Sequence, residues 1–368
     1  MAYIPQFVKL SGMSNTVNAI ATDLGINASM VSETDLDSLK QIGKYVTGST
    51  AMSNAFCDNL INRVAKVIYS GRIYNNSLAL FKKGVLEYGE FIEDVFVALA
   101  QGKKRQEDKA ELYQTNADPA VIPDVKTAFY MSNVRCNYTV SIRRADLDKA
   151  FTTLDGVSEL IERIVNSLVK SQSYDEYLLT KVKLVQMCKA SINIGDGNTP
   201  TDGTATDISE KAREIALLAP FMSNHNIAGV DNTLDGDELC FIVKASVAAK
   251  LDVQVLANAF NMDKADFLGR RVVVDNLKFS EAEQKRLFAI TGATTLDELG
   301  VTADGLDVAN RAQCIICSKN VLQIYDTKAP YFTEDYNGID DIRSYHLHVD
   351  QAYGVSPFEN YHIVVTTD

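Results

Sequence analysis

Two neighbouring stretches decide how this chain is read: NVRCNYTVSIR at residues 133–143 and DGVSELIERIVNSLVKSQSYDEYLLTKVKLVQMC at residues 155–188. In the first, Val134, Cys136, Tyr138, Val140 and Ile142 alternate with polar side chains, the period-2 signature of a strand with one apolar face. In the second the period changes. Val157, Leu160, Ile161, Ile164, Val165, Leu168 and Val169 follow the i, i+3, i+4, i+7 spacing of a helix, with Leu160, Ile161, Ile164 and Leu168 as its packing face. Asp155 and Gly156 supply the start, and Tyr177, Leu178, Val182 and Val185 carry the pattern to Cys188. About 30 residues at ~1.5 Å each make a helix of ~45 Å, a spine rather than an ordinary globular helix.

Working outward toward the N-terminus, the strand's expected partner runs from Val85 to Leu99, rich in Tyr, Phe, Ile and Val. The connection of roughly 28 residues between them holds Lys103, Lys104, Arg105, Glu107, Asp108, Pro119 and Pro123. Loops of that length are uncommon in compact domains unless they bind something, so the segment reads as a projecting hairpin arm with a charged tip. Its expected subunit contacts are Lys103, Lys104, Arg105, Glu107 and Asp108, with Arg135 and Arg143 on the strand's polar face. Before the arm, Leu36, Leu39, Ile42 and Val46, then Phe56, Leu60, Val64 and Val67, predict two short helices between Asp35 and Ile68. Residues 1 to about 35 read as an extended arm.

Beyond the spine, Ile194–Asp207 reads as a Gly, Thr and Asp loop. Helices are predicted at Ser209–Met222 and Ser246–Ala257, and strands at Leu239–Val243, Arg271–Val274 and Ala312–Cys317. That alternation predicts a compact α/β domain. Strand character returns at Tyr345, Leu347 and Val349 and at Tyr361–Thr367. The expected divisions are 1–70, 71–150, 151–205, 206–330 and 331–368.

The 368 residues suffice for two or three domains, and 46% hydrophobic with 23% charged residues excludes wholesale disorder. A formal charge of -12 argues against a protein that grips phosphates, which needs a basic face. No secretory signal is visible, and no apolar run approaches the roughly 18 residues of a membrane span. Scattered cysteines at 57, 136, 188, 240, 314 and 317 suit a reducing compartment. The C-x-x-C of Cys314 and Cys317 lies in an expected buried strand, where i and i+3 face opposite ways, so it reads as core rather than as a zinc or redox site.

Few constellations carry chemistry. Asp231–Asp237 begins like a calcium loop, but its twelfth position is Ile242, which removes the bidentate ligand. Gly195 and Gly197 lack the third glycine and the strand–loop–helix setting of a dinucleotide fingerprint. No P-loop, G-x-S-x-G or H-E-x-x-H occurs. His346, His348 and Asp350 share one face of an expected strand and, with His362 as a further candidate, are the metal or acid–base alternative; the other reading is a wet strand face. With these exclusions, no cofactor, metal or catalytic residue is expected.

The order of elements resembles the major capsid proteins of tailed bacteriophages, the Hong Kong 97-type fold. FIVKASVAAK at residues 241–250 followed by FLGRRVVVD at residues 267–275 is similar to the strand, helix, loop and strand of that family's axial domain. GVSPFEN at residues 354–360 is similar to its Ser-Pro-Phe turn. The resemblance implies an α+β fold with an N-terminal arm, an E-loop over Leu80–Arg144, a peripheral domain carrying the spine helix, an axial domain over about 206–330, and C-terminal strands returning to the peripheral domain. It implies a non-enzymatic shell protein that self-assembles into hexamers and pentamers of an icosahedral virion capsid around double-stranded DNA, in the cytoplasm of a bacterial host. Only about 70 residues precede the E-loop, so a separate scaffolding protein, or none, is expected, alongside portal and decoration proteins. An encapsulin-type compartment is the relative within the fold, and a soluble α/β metal-binding enzyme the rival outside it.

Overall fold

The computed structural model describes residues 18, 20–25, 36–48, 51, 52, 55, 76–86, 91–100, 123–143, 156–194, 197–234, 238–258 and 271–367. In chain order the elements are α1 (Leu36–Thr47), β1 (Lys82–Val85), β2 (Phe91–Val97), β3 (Val125–Met131), β4 (Val134–Arg143), α2 (Gly156–Ala190), β5 (Asn198–Thr201), α3 (Ala205–Leu218), β6 (Leu239–Lys244) and α4 (Ala245–Asn258). There follow β7 (Arg271–Val274), α5 (Glu281–Thr291), α6 (Ala303–Arg311), β8 (Ala312–Ser318), β9 (Leu322–Asp326), β10 (Tyr331–Asn337), β11 (Ile342–Val355) and β12 (Tyr361–Thr366). The fold is α+β. Contacts group these residues into two units: Met1–Asn76, Cys136–Glu176 and Pro330–Val349 form one, and Ser77–Arg135, Tyr177–Ala329 and Asp350–Asp368 the other.

The spine helix α2 has 35 residues, about 52 Å at ~1.5 Å per residue. Leu168 is 2% exposed on it; Leu160, Ile161 and Ile164 lie in its first turns, where only the backbone is described.

In the first unit, β10 and β11 form an antiparallel ladder running from Tyr331 opposite His348 to Asn337 opposite Ile342, and β4 also pairs with β11. Tyr345, Leu347 and Val349 are buried, as their alternation predicts. Ile20, read as part of an extended arm, is instead fully buried on a helical turn over residues 20–23. Hydrogen bonding explains the turn: Thr22 Oγ1 donates to Asn18 O at 2.8 Å, and Leu24 N to Ile20 O at 3.0 Å.

The second unit is built on a five-stranded sheet in the order β5-β12-β8-β6-β7, with β12 parallel to β5, β6 parallel to β7, and β8 antiparallel to both β12 and β6. On one face, Ala205, Ile208, Ala212 and Ile215 of α3 and Val247, Ala248 and Leu251 of α4 pack against Phe241, Val243, Cys314, Ile316 and Val364. The α3 helix starts four residues earlier than its apolar pattern suggests because Thr204 caps it, accepting from Asp207 N at 3.3 Å. Strand β5 lies in the segment read as a loop. Its residues, NTPT, pair two strand-favouring threonines with Asn and Pro, which strands disfavour, and the backbone of β12 holds them.

The partner expected for β4 needs correction. Residues 91–97 pair with β3, from Phe91 opposite Met131 to Val97 opposite Val125, whereas β4 pairs with β11. Alternation reports which face of a strand is apolar; it does not choose the neighbour.

Candidate functional site

The hairpin of β2 and β3 is the candidate site, and its two faces do different work. Period-2 geometry sends Ile92, Asp94, Phe96 and Tyr130 to one side and Phe91, Val95, Val97, Val125, Phe129 and Met131 to the other.

The first face is anchored to the segment that follows β11. Phe96 stacks on Phe358 with ring centroids 5.8 Å apart. Asp94 Oδ2 accepts from Ser356 Oγ at 2.6 Å and from Tyr130 OH at 3.1 Å. Burial, then the charge of Asp94, pushes the Tyr130 hydroxyl far above its ordinary range, so it stays a donor. The Tyr130 ring lies so close to Gly354 that a Cβ there would sit 2.2 Å from Cδ1; only glycine lets the ring down onto this backbone. Around the anchor, Lys83 donates to Asn320 Oδ1, and Asn320 Nδ2 donates to Glu238 Oε2 at 2.6 Å. Burial lowers the Lys83 amine. Burial, with the charges of Asp94 and Glu238 behind it, raises the Glu359 carboxyl.

The second face stays exposed among the described residues. Phe91, Phe129 and Met131 are 60%, 61% and 56% exposed, and Val95, Val97 and Val125 are 51–53% exposed. Six large apolar side chains share this side of the ribbon with Glu93, opposite Phe129, and Thr127, opposite Val95, a largely apolar face with two polar members of the kind that marks an interaction surface. A two-stranded hairpin is also marginal in water without such cover.

Of the contacts expected from the sequence, Lys103, Lys104, Arg105, Glu107 and Asp108 lie outside the described residues. Arg135 and Arg143 are described and exposed, on β4 rather than on the hairpin. The anchoring set of Asp94, Tyr130 and Ser356 was missed. Its one sequence signal is the carboxylate inside the apolar run FIEDVFV, on the face opposite Val95.

The histidine constellation is built into a ladder. Thr139 Oγ1 and His346 Nδ1 are 2.8 Å apart, Thr333 Oγ1 and His348 Nε2 are 2.8 Å apart, and Tyr331 stacks on His348 at 4.8 Å. Among the described residues no three His, Cys, Asp or Glu side chains gather as a metal site. Cys314 and Cys317 are reduced and buried. Burial pushes Cys314 up to about 12 and Cys317 well above its ordinary value, the opposite of an activated thiol. No helix of the described residues is long and apolar enough to cross a membrane.

Residues 17–365 match the family described as Phi29-like phage major capsid protein. The major capsid protein of Bacillus phage GA-1 is 26% identical over 97% of this chain and 71% of its own length, and that of Bacillus phage B103 is 28% identical over 97% and 77%. Among solved structures, a chain of the Staphylococcus phage Andhra capsid aligns with a TM-score of 0.55 at 17% identity, covering 81% of this chain and 85% of that one. A chain of the cyanophage P-SCSP1u capsid aligns at 0.52 and 12% identity, covering 78% and 87%. The fold is that of tailed-phage capsids, the Hong Kong 97-like architecture.

Proposed function

The chain belongs to the Phi29-like phage major capsid protein family, and from that premise we propose that the open face of its β2–β3 hairpin is a contact by which neighbouring copies close the shell. The chain is a structural component of a phage capsid, and its relatives are capsid proteins rather than enzymes. The observation that carries the proposal is the separation of faces: one is engaged with Ser356, Phe358 and Gly354, and the other, largely apolar with Glu93 and Thr127 among its six large apolar side chains, stays exposed among the described residues. Six side chains, each about half exposed, would release on the order of 5 kcal/mol per hairpin if covered, before the cost of ordering the contact. Strong assembly needs no more than that, because every copy in a shell repeats the contact.

The finer parts of the reading are an arm spanning about 71–150 whose tip at Lys103–Asp108 reaches a neighbour, a peripheral domain around α2, and an axial domain around the five-stranded sheet. Hexamers and pentamers around packaged double-stranded DNA, assembly in a bacterial cytoplasm, and separate scaffolding, portal and decoration proteins complete it. The net charge of -12 supports a wall that encloses nucleic acid without holding it.

Negative-stain electron microscopy with sedimentation velocity tests the proposal on the wild-type chain and on the double substitution V95E/F129E. Closed shells or hexamer sheets from the wild type, and free subunits with unchanged circular dichroism from the variant, are expected. Variant shells indistinguishable from wild type would remove the hairpin face from the assembly contacts.

A further inference from the structure

The second unit holds a cleft of about 600 Å³, lined by Leu179, Val182, Lys183 and Gln186 of α2, by Asn133 and Val134, and by the loop after α5. Apart from Lys183, its walls are apolar or already hydrogen-bonded. Gln186 Nε2 donates to Leu299 O at 2.6 Å, which turns its Oε1 toward Lys183 Nζ, 3.2 Å away. That is the one hydrogen bond of this ammonium among the described residues. The carboxylate on the rim is already engaged: Glu298 accepts from Thr294 N at 2.7 Å and from Thr294 Oγ1 at 3.0 Å. Burial alone lowers the Lys183 amine, and no opposing charge among the described residues offsets it.

The cleft is also preformed. Asn133 is clamped to the β11 backbone through Nδ2 to Tyr353 O at 2.8 Å and Tyr353 N to Oδ1 at 3.0 Å. Gly300 closes against Gln186, whose Nε2 would lie 2.9 Å from any Cβ there.

We propose that this cleft is a socket for a side-chain carboxylate of a second copy of the chain. The inference rests on the copy-to-copy assembly proposed above. A shell brings copies side by side, and 48 Asp and Glu against 36 Lys and Arg make a carboxylate the side chain most available to meet Lys183. The cleft admits one or two side chains rather than a domain. An ammonium desolvated without a counter-charge is costly, and a carboxylate inserted from outside offsets that cost while completing the hydrogen bonds Gln186 begins. Each copy then pays for its own half-buried cation until it is assembled, which favours the shell over the free subunit.

Carbodiimide activation of purified capsids tests this, because it joins an amine to a carboxylate only where the two touch. The expected product is a dimer on a denaturing gel whose linked peptides pair Lys183 with an Asp or Glu. Lys183→Arg keeps the charge but cannot form that amide, so its capsids should assemble within about twofold of wild type and lack the Lys183 link. Lys183→Met should lower capsid yield about tenfold while leaving the subunit's circular dichroism intact. A Lys183 link within one chain, or no Lys183 link in well-formed capsids, would overturn the socket and leave the hairpin contact standing. Wild-type yield from Lys183→Met would overturn it too. Loss of the yield effect when acetate is added would assign the site to a free anion.

Discussion

Lysines that a sequence scan would place on the wet side of a helix or strand prove the most constrained residues here. Lys181, fully buried on α2, holds Asp275 at 3.3 Å and Glu283 at 3.4 Å and lies over the Phe279 ring at 5.2 Å. Its partners sit roughly 95–100 residues downstream, so nothing local in the spine pattern distinguishes it from an exposed Lys. Lys181→Ala leaves two carboxylates without their cation and is expected to cost about 3–5 kcal/mol in urea denaturation of the subunit; a loss under 1 kcal/mol would count against the buried pair. Lys244 gives a pH signature. Burial lowers its amine to about 8, and Nζ donates to Asn310 O at 2.7 Å. Below pH 8 the folded and unfolded chains both carry the proton and the desolvation penalty is fully present. Between pH 8 and the unfolded value near 10.5 only the unfolded chain keeps it, so stability rises with pH. Relative to Lys244→Met, the wild type should gain about 1–3 kcal/mol across that window. Parallel pH curves for the two proteins would dismiss the effect.

Elements were legible wherever one period held for long enough. The spine, β6, β7, β8 and the buried side of β11 could be read because their own residues specify them. Of the elements that escaped, two did so for instructively different reasons. Strand β5 exists only because β12 offers it a ladder, so its composition is silent. Helix α5 had a readable signal in Ser280 and Glu283, a capping box in which Ser280 Oγ accepts from Glu283 N at 3.3 Å and Glu283 Oε2 from Ser280 N at 2.7 Å. Ser280→Ala should lower subunit stability by about 1 kcal/mol, read as a shift in the thermal midpoint. An unchanged midpoint would mean that packing alone holds that end. The candidate site was partly legible: the strand character of residues 91–97 could be read, but its pairing with β3 could not, and the division of the hairpin into an anchored face and an open face depends on Ser356 and Phe358, more than 200 residues away.

At the scale of the molecule, net charge opposes what the apolar faces promote. Copies at -12 repel one another, and that repulsion is screened within about 10 Å at 0.1 M salt, whereas the apolar contact is not. Raising salt from roughly 0.05 to 0.5 M should therefore speed assembly measured by light scattering; slower assembly would mean that ion pairs between copies outweigh the hairpin contact. Removing residues 102–118 should abolish shells while leaving the subunit's thermal midpoint within ~2 °C, since the closure entropy of a connection changes only slowly with its length. Normal shells from that deletion would show that the tip is dispensable.

The strand order of the five-stranded sheet also governs timing. Strand β12 lies inside the sheet, between β5 and β8, yet it is translated after every strand it joins. At ~5–20 residues per second, β5 waits roughly 10–30 s, the time to add about 160 residues, before its partner emerges. During synthesis the nascent chain is thus an open sheet with a missing slat, unable to present a finished subunit. The same order acts as a check: a chain cut short before residue 361 lacks the strand that joins β5 to β8, and its five-stranded sheet cannot close.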